Sequence, residues 1–274
     1  MLRGHLGPEH VSGVKVVGDF VGNWRLGLPS ELALVLLLDP DTGMPLGIVD
    51  GTMLTAARTG ALTALGARHL ARPGSRVLGH LGARGSAWWN VTMLDDLFDF
   101  EEIRVTSRRT GSREGFADRL AEELGKPVRA VATPEEALAG ADIMVEATRL
   151  TEPEVLLETR WVTPGTTVIP YGTVSARRGR PGRRDGQGGG GRLGPGGRRA
   201  AGGAAPPRRL GPAGPPQPPR RAGRDRGRPG AGARAARGAD PVWHRGLATT
   251  DLAVANLLLR RAAAAGLGTR LRYR

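Results

Sequence analysis

The 274-residue sequence has no cysteine, only two lysines, and aromatic residues at just 4% of its positions. The absence of cysteine excludes disulfides and thiolate metal sites, and it is typical of a reducing compartment, so we expect a cytoplasmic location. No window offers the run of about 18 apolar residues that a membrane span needs. The N-terminus lacks the apolar segment of a signal peptide, so no membrane partner is expected.

The net charge of +14 comes from one part of the chain. Residues 177–240 contain 17 Arg and three Asp, whereas the other 210 residues contain 23 basic and 23 acidic side chains. Gly, Arg, Ala and Pro fill 57 of those 64 positions. A stretch with so few large apolar residues cannot bury enough surface to offset the entropy of ordering, so we expect it to be disordered.

Three interpretations of this segment compete. An Arg/Gly tract is typical of nucleic-acid binding, but the segment lacks aromatic residues that stack on bases, so nucleic acid is a disfavoured partner. A linker of this length is uncommon inside a compact enzyme. GC-rich coding DNA read in the wrong frame also produces Gly, Ala, Pro and Arg, and we favour this frameshift. The frameshift predicts that the parallel sheet is cut short at residue 176.

The first 70 residues contain β-rich runs followed by one helical pattern. Strands are predicted at 14–20, 32–38 and 46–49. Turn residues between the last two predict a hairpin. A helix follows to about residue 70, with Asp50 or Thr52 as its cap.

From residue 76 onward, strands and helices alternate. Strands are predicted at 76–81, 103–107, 128–132, 142–148 and 166–171, and helices at 88–98 and 112–124. A further helix begins at Thr133 with a capping box and with Pro134 at its first position. Strands separated by helices form a parallel, doubly wound sheet of Rossmann type, whose strand-to-helix turns face the ligand. The fold class is therefore α/β.

The turn after the first of these strands has the composition of a phosphate-binding turn. It reads Gly82-Ala83-Arg84-Gly85-Ser86-Ala87. Its small residues let a pyrophosphate approach the backbone and the N-terminus of the next helix. Against the pattern G-x-G-x-x-G/A, Arg84 stands where the second glycine belongs. The alternative is an ordinary tight turn between a strand and a helix.

The end of the next strand carries Ser107, Arg108 and Arg109, where an NAD-binding protein has an acidic residue for the ribose 2′-hydroxyl. Two guanidinium groups without a carboxylate can pair with a 2′-phosphate. The sequence therefore favours NADP(H) over NAD(H), and a solvated basic loop is the alternative.

Lys15 lies among valines in the first predicted strand, and Arg58 lies among small residues of the first predicted helix. A lysine in an apolar strand is commonly an edge charge, but it can also be a semi-buried amine suited to acid–base work on an amino acid. An arginine in this setting can clamp a carboxylate or contact the phosphates of a cofactor. Spacing alone decides neither role.

Several stretches together resemble the ornithine cyclodeaminase/μ-crystallin family. They are 13–17, 43–46, 50–59, 82–87, 145–148, 164–168 and 246–253, and the Asp-Gly-Thr…Arg-Thr box at 50–59 is the most specific. The likeness covers about 11–176 and 242–274. It implies a substrate and dimerisation domain at 1–70, an NAD(P)-binding Rossmann domain at 71–176, an aberrant segment at 177–241, and a C-terminal helix at 242–274 that returns to the first domain.

The resemblance implies a homodimeric, NAD(P)(H)-dependent enzyme of amino-acid or imine metabolism, in which hydride passes between the substrate Cα and the nicotinamide. The runner-up hypothesis is a non-catalytic, NADPH-dependent ligand-binding protein of μ-crystallin type. Carried over from the family, Lys15 and Arg58 hold or activate the substrate, Arg58 also reaches the cofactor, and Arg245 contacts the substrate. The residues implied to line the dinucleotide are Ser30, Gly82, Ala83, Gly85, Ser86, Ser107, Arg108, Thr148, Val168, Tyr171 and His244. No metal is implied.

Three departures from the family pattern affect these expectations. The family's first strands, with an additional substrate-binding arginine, are expected before residue 11, and this chain begins too late to include them. Residues 172–176 carry no carboxylate where ornithine cyclodeaminase has its catalytic aspartate, so another amino acid or imine is the expected substrate. The segment at 177–240 leaves open whether the chain as written is active.

Overall fold

The structure is a computed structural model that describes residues 1–150, 152, 154–172, 240–241 and 246–272. Its described strands form a four-stranded antiparallel sheet and a six-stranded parallel sheet, which confirms the predicted α/β class. The helices are α1 (Thr52–Leu70), α2 (Ala87–Phe98), α3 (Thr110–Leu124), α4 (Pro134–Leu138) and α5 (Ala248–Ala264). The helix predicted at 112–124 thus begins two residues earlier than expected.

The antiparallel sheet consists of four consecutive strands. They are β1 (Leu2–Leu6), β2 (Val11–Asp19), β3 (Glu31–Leu38) and β4 (Pro45–Asp50). The predicted hairpin is confirmed, because β3 pairs antiparallel with β4. The sequence analysis did not predict β1, which pairs antiparallel with β2 and places Leu2 opposite Lys15. A strand therefore does precede residue 11, and it was missed because it is short and carries arginine and histidine at a sheet edge.

Helices α1 and α5 cover one face of this sheet. Val35 and Leu37 of β3 pack there with Leu54 of α1 and Leu252 of α5. Because side chains alternate along a strand, Lys15 of β2 points to this same buried face. The opposite face carries exposed apolar side chains at Val16, Leu34 and Ile48.

The N-cap of α1 is Gly51, so the predicted cap at Asp50 or Thr52 was wrong by one residue. The Asp50 carboxylate nevertheless serves the first turn, since its Oδ1 atom accepts a hydrogen bond from the Thr52 N–H at 2.8 Å. The capping box of α4 is confirmed, with the Thr133 hydroxyl and the Glu136 carboxylate each bonded to the other's backbone N–H.

The parallel sheet has the strand order of a dinucleotide-binding fold. Its strands are β5 (Val77–Leu81), β6 (Glu102–Thr106), β7 (Val128–Ala130), β8 (Ile143–Glu146), β9 (Thr167–Pro170) and β10 (Asp240–Pro241). They lie in the order β7-β6-β5-β8-β9-β10, which is the 3-2-1-4-5-6 order of the Rossmann fold. The expectation that the sheet stops at residue 176 was wrong, because β10 pairs parallel with β9 and covers that edge.

Helix α1 connects the two sheets through a close crossing with α2. A Cβ atom at Gly60 of α1 would lie 2.5 Å from the Cβ atom of Trp89 on α2, so only glycine fits at this crossing. Helices α2 and α3 cover one face of the parallel sheet, where Val91 and Phe116 belong to the main apolar cluster. This arrangement places α1 beside the helix that follows the predicted phosphate turn.

No helix within the described ranges is both long and apolar enough to cross a membrane. The cytoplasmic location remains a prediction.

Candidate active site

The predicted phosphate turn joins β5 to α2 at the point where the strand order reverses. Gly82 has φ +106° and Gly85 has φ +60°, which favours glycine at both positions. A Cβ atom at Gly82 would lie 3.0 Å from the Ala147 carbonyl oxygen just beyond β8, so the turn sits against the neighbouring strand end. A Cβ atom at Gly85 would have no neighbour within 4 Å, so space is open on that side. Ligands of doubly wound folds bind at such switch points.

At the start of α2 the Ala87 N–H donates to the Arg84 carbonyl oxygen at 3.2 Å, which leaves the N–H groups of the next two residues for an anion. Ser86 is the N-cap of α2, yet its side chain forms no capping hydrogen bond. The first N–H groups of a helix have no partner within the helix, and they form a ready site for a phosphate. The residues of this turn therefore fit the pyrophosphate of a dinucleotide, and Ala83 and the exposed Arg84 flank the space where it would lie.

Beneath the turn runs a chain of side-chain hydrogen bonds. The His80 ring donates from Nδ1 to the Gly82 carbonyl oxygen at 2.9 Å, and its Nε2 atom accepts from the Asn90 amide at 3.1 Å. The same amide nitrogen donates to the Tyr171 hydroxyl, which lies 2.7 Å from the Ser86 hydroxyl. Burial lowers the pKa of His80 to about 4 and raises the pKa of Tyr171 to about 12. Both side chains are therefore neutral at pH 7.

The predicted adenosine-ribose residues follow the ends of β6 and β8. Ser107 comes directly after β6, and its carbonyl oxygen accepts from Arg113 at 3.4 Å. Arg108 is exposed in the loop before α3. Thr148 lies two residues beyond β8, where its N–H donates at 2.9 Å to Glu146, a carboxylate that is only 1% exposed.

Of the other residues predicted to line the dinucleotide, Ser30 lies near the end of a parallel strand, whereas Val168 lies inside one. Ser30 precedes Glu31, which pairs at 2.9 Å with Arg149, the residue after Thr148. Ser30 is thus brought towards the carboxyl end of β8. Val168 lies inside β9 and packs in a buried apolar cluster. His244 and Arg245 lie outside the described residues.

A buried charge cluster lies on the covered face of the antiparallel sheet. Asp251, at the start of α5, accepts on its Oδ1 atom from the Lys15 amine at 2.9 Å and from the Arg58 guanidinium at 2.8 Å. The Lys15 amine also donates to the Thr55 hydroxyl at 3.1 Å. All three charged side chains are buried, so the interpretation of Lys15 as an exposed edge charge was wrong. The structure brings together the two residues predicted to hold the substrate.

This cluster combines two cations with one carboxylate. The Oδ2 atom of Asp251 is buried and has no hydrogen-bond partner among the residues that the structure describes. The Arg58 guanidinium faces Gly246, where a Cβ atom would lie 2.8 Å from Nη2. Burial raises the pKa of Tyr171, and the positive charge of Arg58 partly opposes that shift. The excess positive charge is complementary to a substrate carboxylate.

The sequence analysis assigned no role to Asp251. A signal was present, because Asp251 shares the buried face of α5 with Leu252, Ala255 and Asn256 at helical spacing. A carboxylate on the apolar face of a helix requires a cationic partner. The roles of His80 and Asn90 were also missed, and no periodic pattern marks them. Among the described residues, no group of three or more His, Asp or Glu side chains is arranged to hold a metal ion.

Comparison with known proteins was made on both the sequence and the fold. The sequence model of the ornithine cyclodeaminase/mu-crystallin family matches residues 3–180. The chain belongs to this family. The match confirms the resemblance seen in the sequence, although it begins at residue 3 rather than 11. It ends within three residues of the start of the Arg-rich segment, and the likeness predicted for 242–274 remains a prediction.

Individual members of the family show the extent of the likeness. Ketimine reductase mu-crystallin of Mus musculus is 34% identical over 177 residues, which are 62% of this chain and 55% of the mouse protein. The chain therefore spans about half the length of the curated relatives that it matches. The Thermococcus litoralis Delta(1)-pyrroline-2-carboxylate reductase, solved with NADH and L-proline, has a TM-score of 0.69 at 20% identity and covers 99% of this chain and 89% of its own.

An archaeal alanine dehydrogenase, solved as a dimer with bound NAD, has a TM-score of 0.67 at 20% identity. The match covers 99% of this chain and 83% of the chain of the alanine dehydrogenase. At this level of identity, the two solved structures establish a shared fold. They confirm the predicted Rossmann-type sheet combined with a second α/β part.

We predict that Asp251→Asn will lower the free energy of unfolding by about 3 kcal/mol, because it leaves two buried cations without their anion. Urea unfolding followed by tryptophan fluorescence measures this change. Asp41→Asn is the matched control, since Asp41 pairs with His10 at 2.9 Å on the surface, where such pairs contribute little. An equally small effect of both substitutions would contradict the ion-pair account of the cluster.

Proposed function

We propose that this protein is an NAD(P)(H)-dependent enzyme of amino-acid or imine metabolism, which transfers hydride between the substrate Cα and the nicotinamide. The observation that carries this proposal is the buried Lys15–Asp251–Arg58 cluster, in which Arg58 belongs to α1, the helix that crosses α2 after the dinucleotide-type turn. The names of the relatives support it, since they include a ketimine reductase and a pyrroline-2-carboxylate reductase. Ornithine cyclisation itself is disfavoured, because no carboxylate occurs at 172–176.

Each residue of the cluster has a separate task in this reaction. Arg58 pairs with the substrate carboxylate and so fixes the orientation of the Cα atom. The Lys15 amine gives a proton to the substrate nitrogen when an imine is reduced, and it takes the proton back when an amine is oxidised. Asp251 holds both cations in place. A nicotinamide dinucleotide bound at the turn supplies or accepts the hydride.

We predict that Lys15→Met will lower kcat for imine reduction at least about a hundredfold, because the proton donor is lost. Dinucleotide affinity should stay unchanged, since Lys15 contacts Thr55 and Asp251 rather than the turn. Consumption of NADPH with a panel of cyclic and acyclic imino acids measures the rate, and fluorescence titration measures the affinity.

Lys126→Met is the matched control for this measurement. Lys126 is the other lysine of the chain, and it bridges Asp95 and Asp99 away from the cluster. Its replacement should leave kcat unchanged. The alternative is a ligand-binding protein that does not catalyse a reaction. A parent protein that binds an imino acid or amino acid tightly together with NADPH, but turns over neither, would support this alternative against the enzyme. The mouse mu-crystallin is itself named a ketimine reductase, which favours the enzyme.

NADP(H) is the proposed cofactor in preference to NAD(H). Ser107 and the exposed Arg108 follow β6, and no carboxylate is present there to repel a 2′-phosphate. Two family structures were solved with NADH and NAD, so the preference rests on these residues of this chain.

Arg108→Ala should weaken NADPH binding by about tenfold or more, because one charge-assisted hydrogen bond is lost. It should leave NADH binding unchanged. Arg119→Ala, on the exposed surface of α3, is the matched control and should alter neither affinity. Titration calorimetry with both dinucleotides checks the prediction, and a parent protein that prefers NADH would overturn it.

A homodimer is proposed through the outer face of the antiparallel sheet. Leu34 is 57% exposed and Ile48 is 66% exposed, and Val16 lies directly opposite Leu34 in the register. Val16 and Leu34 line a groove on this face, and the other residues of its lining are Gly18, Leu32, Ala33, Asp50 and Thr52. An exposed apolar face of this kind is typical of an interface, and the alanine dehydrogenase relative is a dimer. A second copy of this chain is the occupant that fits.

Leu34→Glu should convert the dimer to a monomer, because a carboxylate would be buried without a partner in the interface. Sedimentation velocity measures the mass of both forms. Leu97→Glu, which places the same charge on exposed α2, should remain dimeric. A monomeric parent protein would rule out the proposed interface.

A further inference from the structure

A neutral histidine lies in the apolar core directly beneath the phosphate turn, and the chemistry proposed above leaves it without a role. His80 on β5 is completely buried, and its ring centroid lies 6.4 Å from that of Phe116 on α3. Burial lowers the pKa of His80 to about 4, so the ring is uncharged at pH 7. A polar ring in an apolar core is unfavourable unless its nitrogen atoms are hydrogen-bonded. The partners of these two atoms therefore indicate what the ring does.

Both ring nitrogen atoms are bonded, and only one position of the proton satisfies both contacts. The Gly82 carbonyl oxygen, which lies 2.9 Å from Nδ1, can only accept, so Nδ1 carries the proton. The Nε2 atom of the neutral ring is then bare, and it accepts from the Asn90 amide nitrogen at 3.1 Å. Asn90 thereby stabilises the tautomer whose N–H group points to the phosphate turn.

The Gly82 carbonyl belongs to the first peptide unit of the turn. Among the residues that the structure describes, the imidazole is the one hydrogen-bond partner of this carbonyl. Gly82 has φ +106°, and glycine lacks the Cβ atom that limits backbone rotation in other residues. Nothing within Gly82 itself therefore prevents the peptide unit from flipping. The hydrogen bond from His80 supplies that restraint from outside the turn.

Fixing the Gly82 carbonyl also fixes the N–H group of the same peptide unit. In a planar trans peptide the two groups point in opposite directions, so the Ala83 N–H points away from the imidazole. Within the described part of the chain, the backbone N–H groups of residues 83–86 donate no hydrogen bond. A run of such groups attracts an anion. A flipped peptide unit would put a carbonyl oxygen where the Ala83 N–H now points, and this oxygen would repel the anion.

We propose that His80 is a positioning residue for the dinucleotide, which acts through the Gly82 carbonyl to hold the phosphate turn in the conformation that binds the pyrophosphate. The inference rests on the proposed function, because it concerns the same cofactor site. A turn that already has its binding conformation loses no affinity to competing conformations. The ring gives this restraint while uncharged, and Asn90 keeps its proton on the side of the turn.

The test compares His80→Leu with His80→Asn in the whole chain. Both substitutions remove the acceptor of the Asn90 amide, but only asparagine keeps a donor for Gly82, because its amide nitrogen is attached at the same side-chain position as Nδ1. His80→Leu should weaken NADPH binding by about three- to tenfold, the equivalent of one net hydrogen bond. His80→Asn should recover most of that loss. Titration calorimetry measures both affinities, and the loss should appear in the KM for NADPH rather than in kcat.

Nitrogen NMR of the histidine rings tests the inference on the parent protein without any ligand. The spectrum of His80→Asn identifies the signals of His80 by their disappearance. We expect a protonated Nδ1 atom and a bare Nε2 atom at pH 7. A proton on Nε2 would overturn the inference, because Nδ1 would then have nothing to donate to Gly82.

Leu120→Ala is the control for a general effect on folding. It opens a cavity in the same apolar cluster, so it should lower the unfolding temperature and leave NADPH affinity at the parent value. If His80→Leu does not fold, His80→Gln replaces it, since its amide lies one bond too far out to serve Gly82.

Equal NADPH affinity of the parent and His80→Leu would overturn the inference. An affinity of His80→Asn as low as that of His80→Leu would do the same, because the loss would then not depend on the donor. A parent protein that binds neither NADPH nor NADH would instead overturn the proposed function, and the inference with it.

Discussion

The carboxylate of Asp251 is the contact on which the rest of the candidate active site depends. One oxygen atom of this side chain bonds both the Lys15 amine and the Arg58 guanidinium, and so joins β2, α1 and α5. A charge in such buried surroundings costs several kcal/mol when it stands alone. The Asp251 carboxylate is therefore what allows the two cations to be buried, and the cations in turn allow the carboxylate to be buried.

The same ion pairs make the C-terminal helix part of the site. Asp251 lies 193 residues after Arg58, on the far side of the Arg-rich segment. Leu252, the next residue, packs in the core of the antiparallel sheet, where a Cβ atom at Gly13 would lie 2.7 Å from it. One face of α5 thus contributes both the carboxylate of the ion pairs and an apolar side chain of the core. The two predicted substrate-binding residues thus share their carboxylate partner on this helix.

The sequence predicted those features that leave a local pattern. Alternating strands and helices indicated the parallel sheet, and the glycines at 82 and 85 indicated the turn at its switch point. The environment of Lys15 left no local trace, because it depends on a residue 236 positions away. The strand β1 was missed because its alternation extends over only five residues, and β10 because it begins at the last residue of the Arg-rich segment.

Helix α1 explains why the Asp-Gly-Thr…Arg-Thr box is the most specific part of the family resemblance. Arg58 contacts the carboxylate of Asp251, and Gly60, two residues later, allows α1 to pass against Trp89 of α2. A helix rises about 1.5 Å per residue, so these two contacts are only about 3 Å apart along its axis. One rigid segment thereby fixes the distance between the charge cluster and the helix that begins at the phosphate turn. The proposed hydride transfer needs its two reactants held within contact distance, and α1 is the segment that would set that distance.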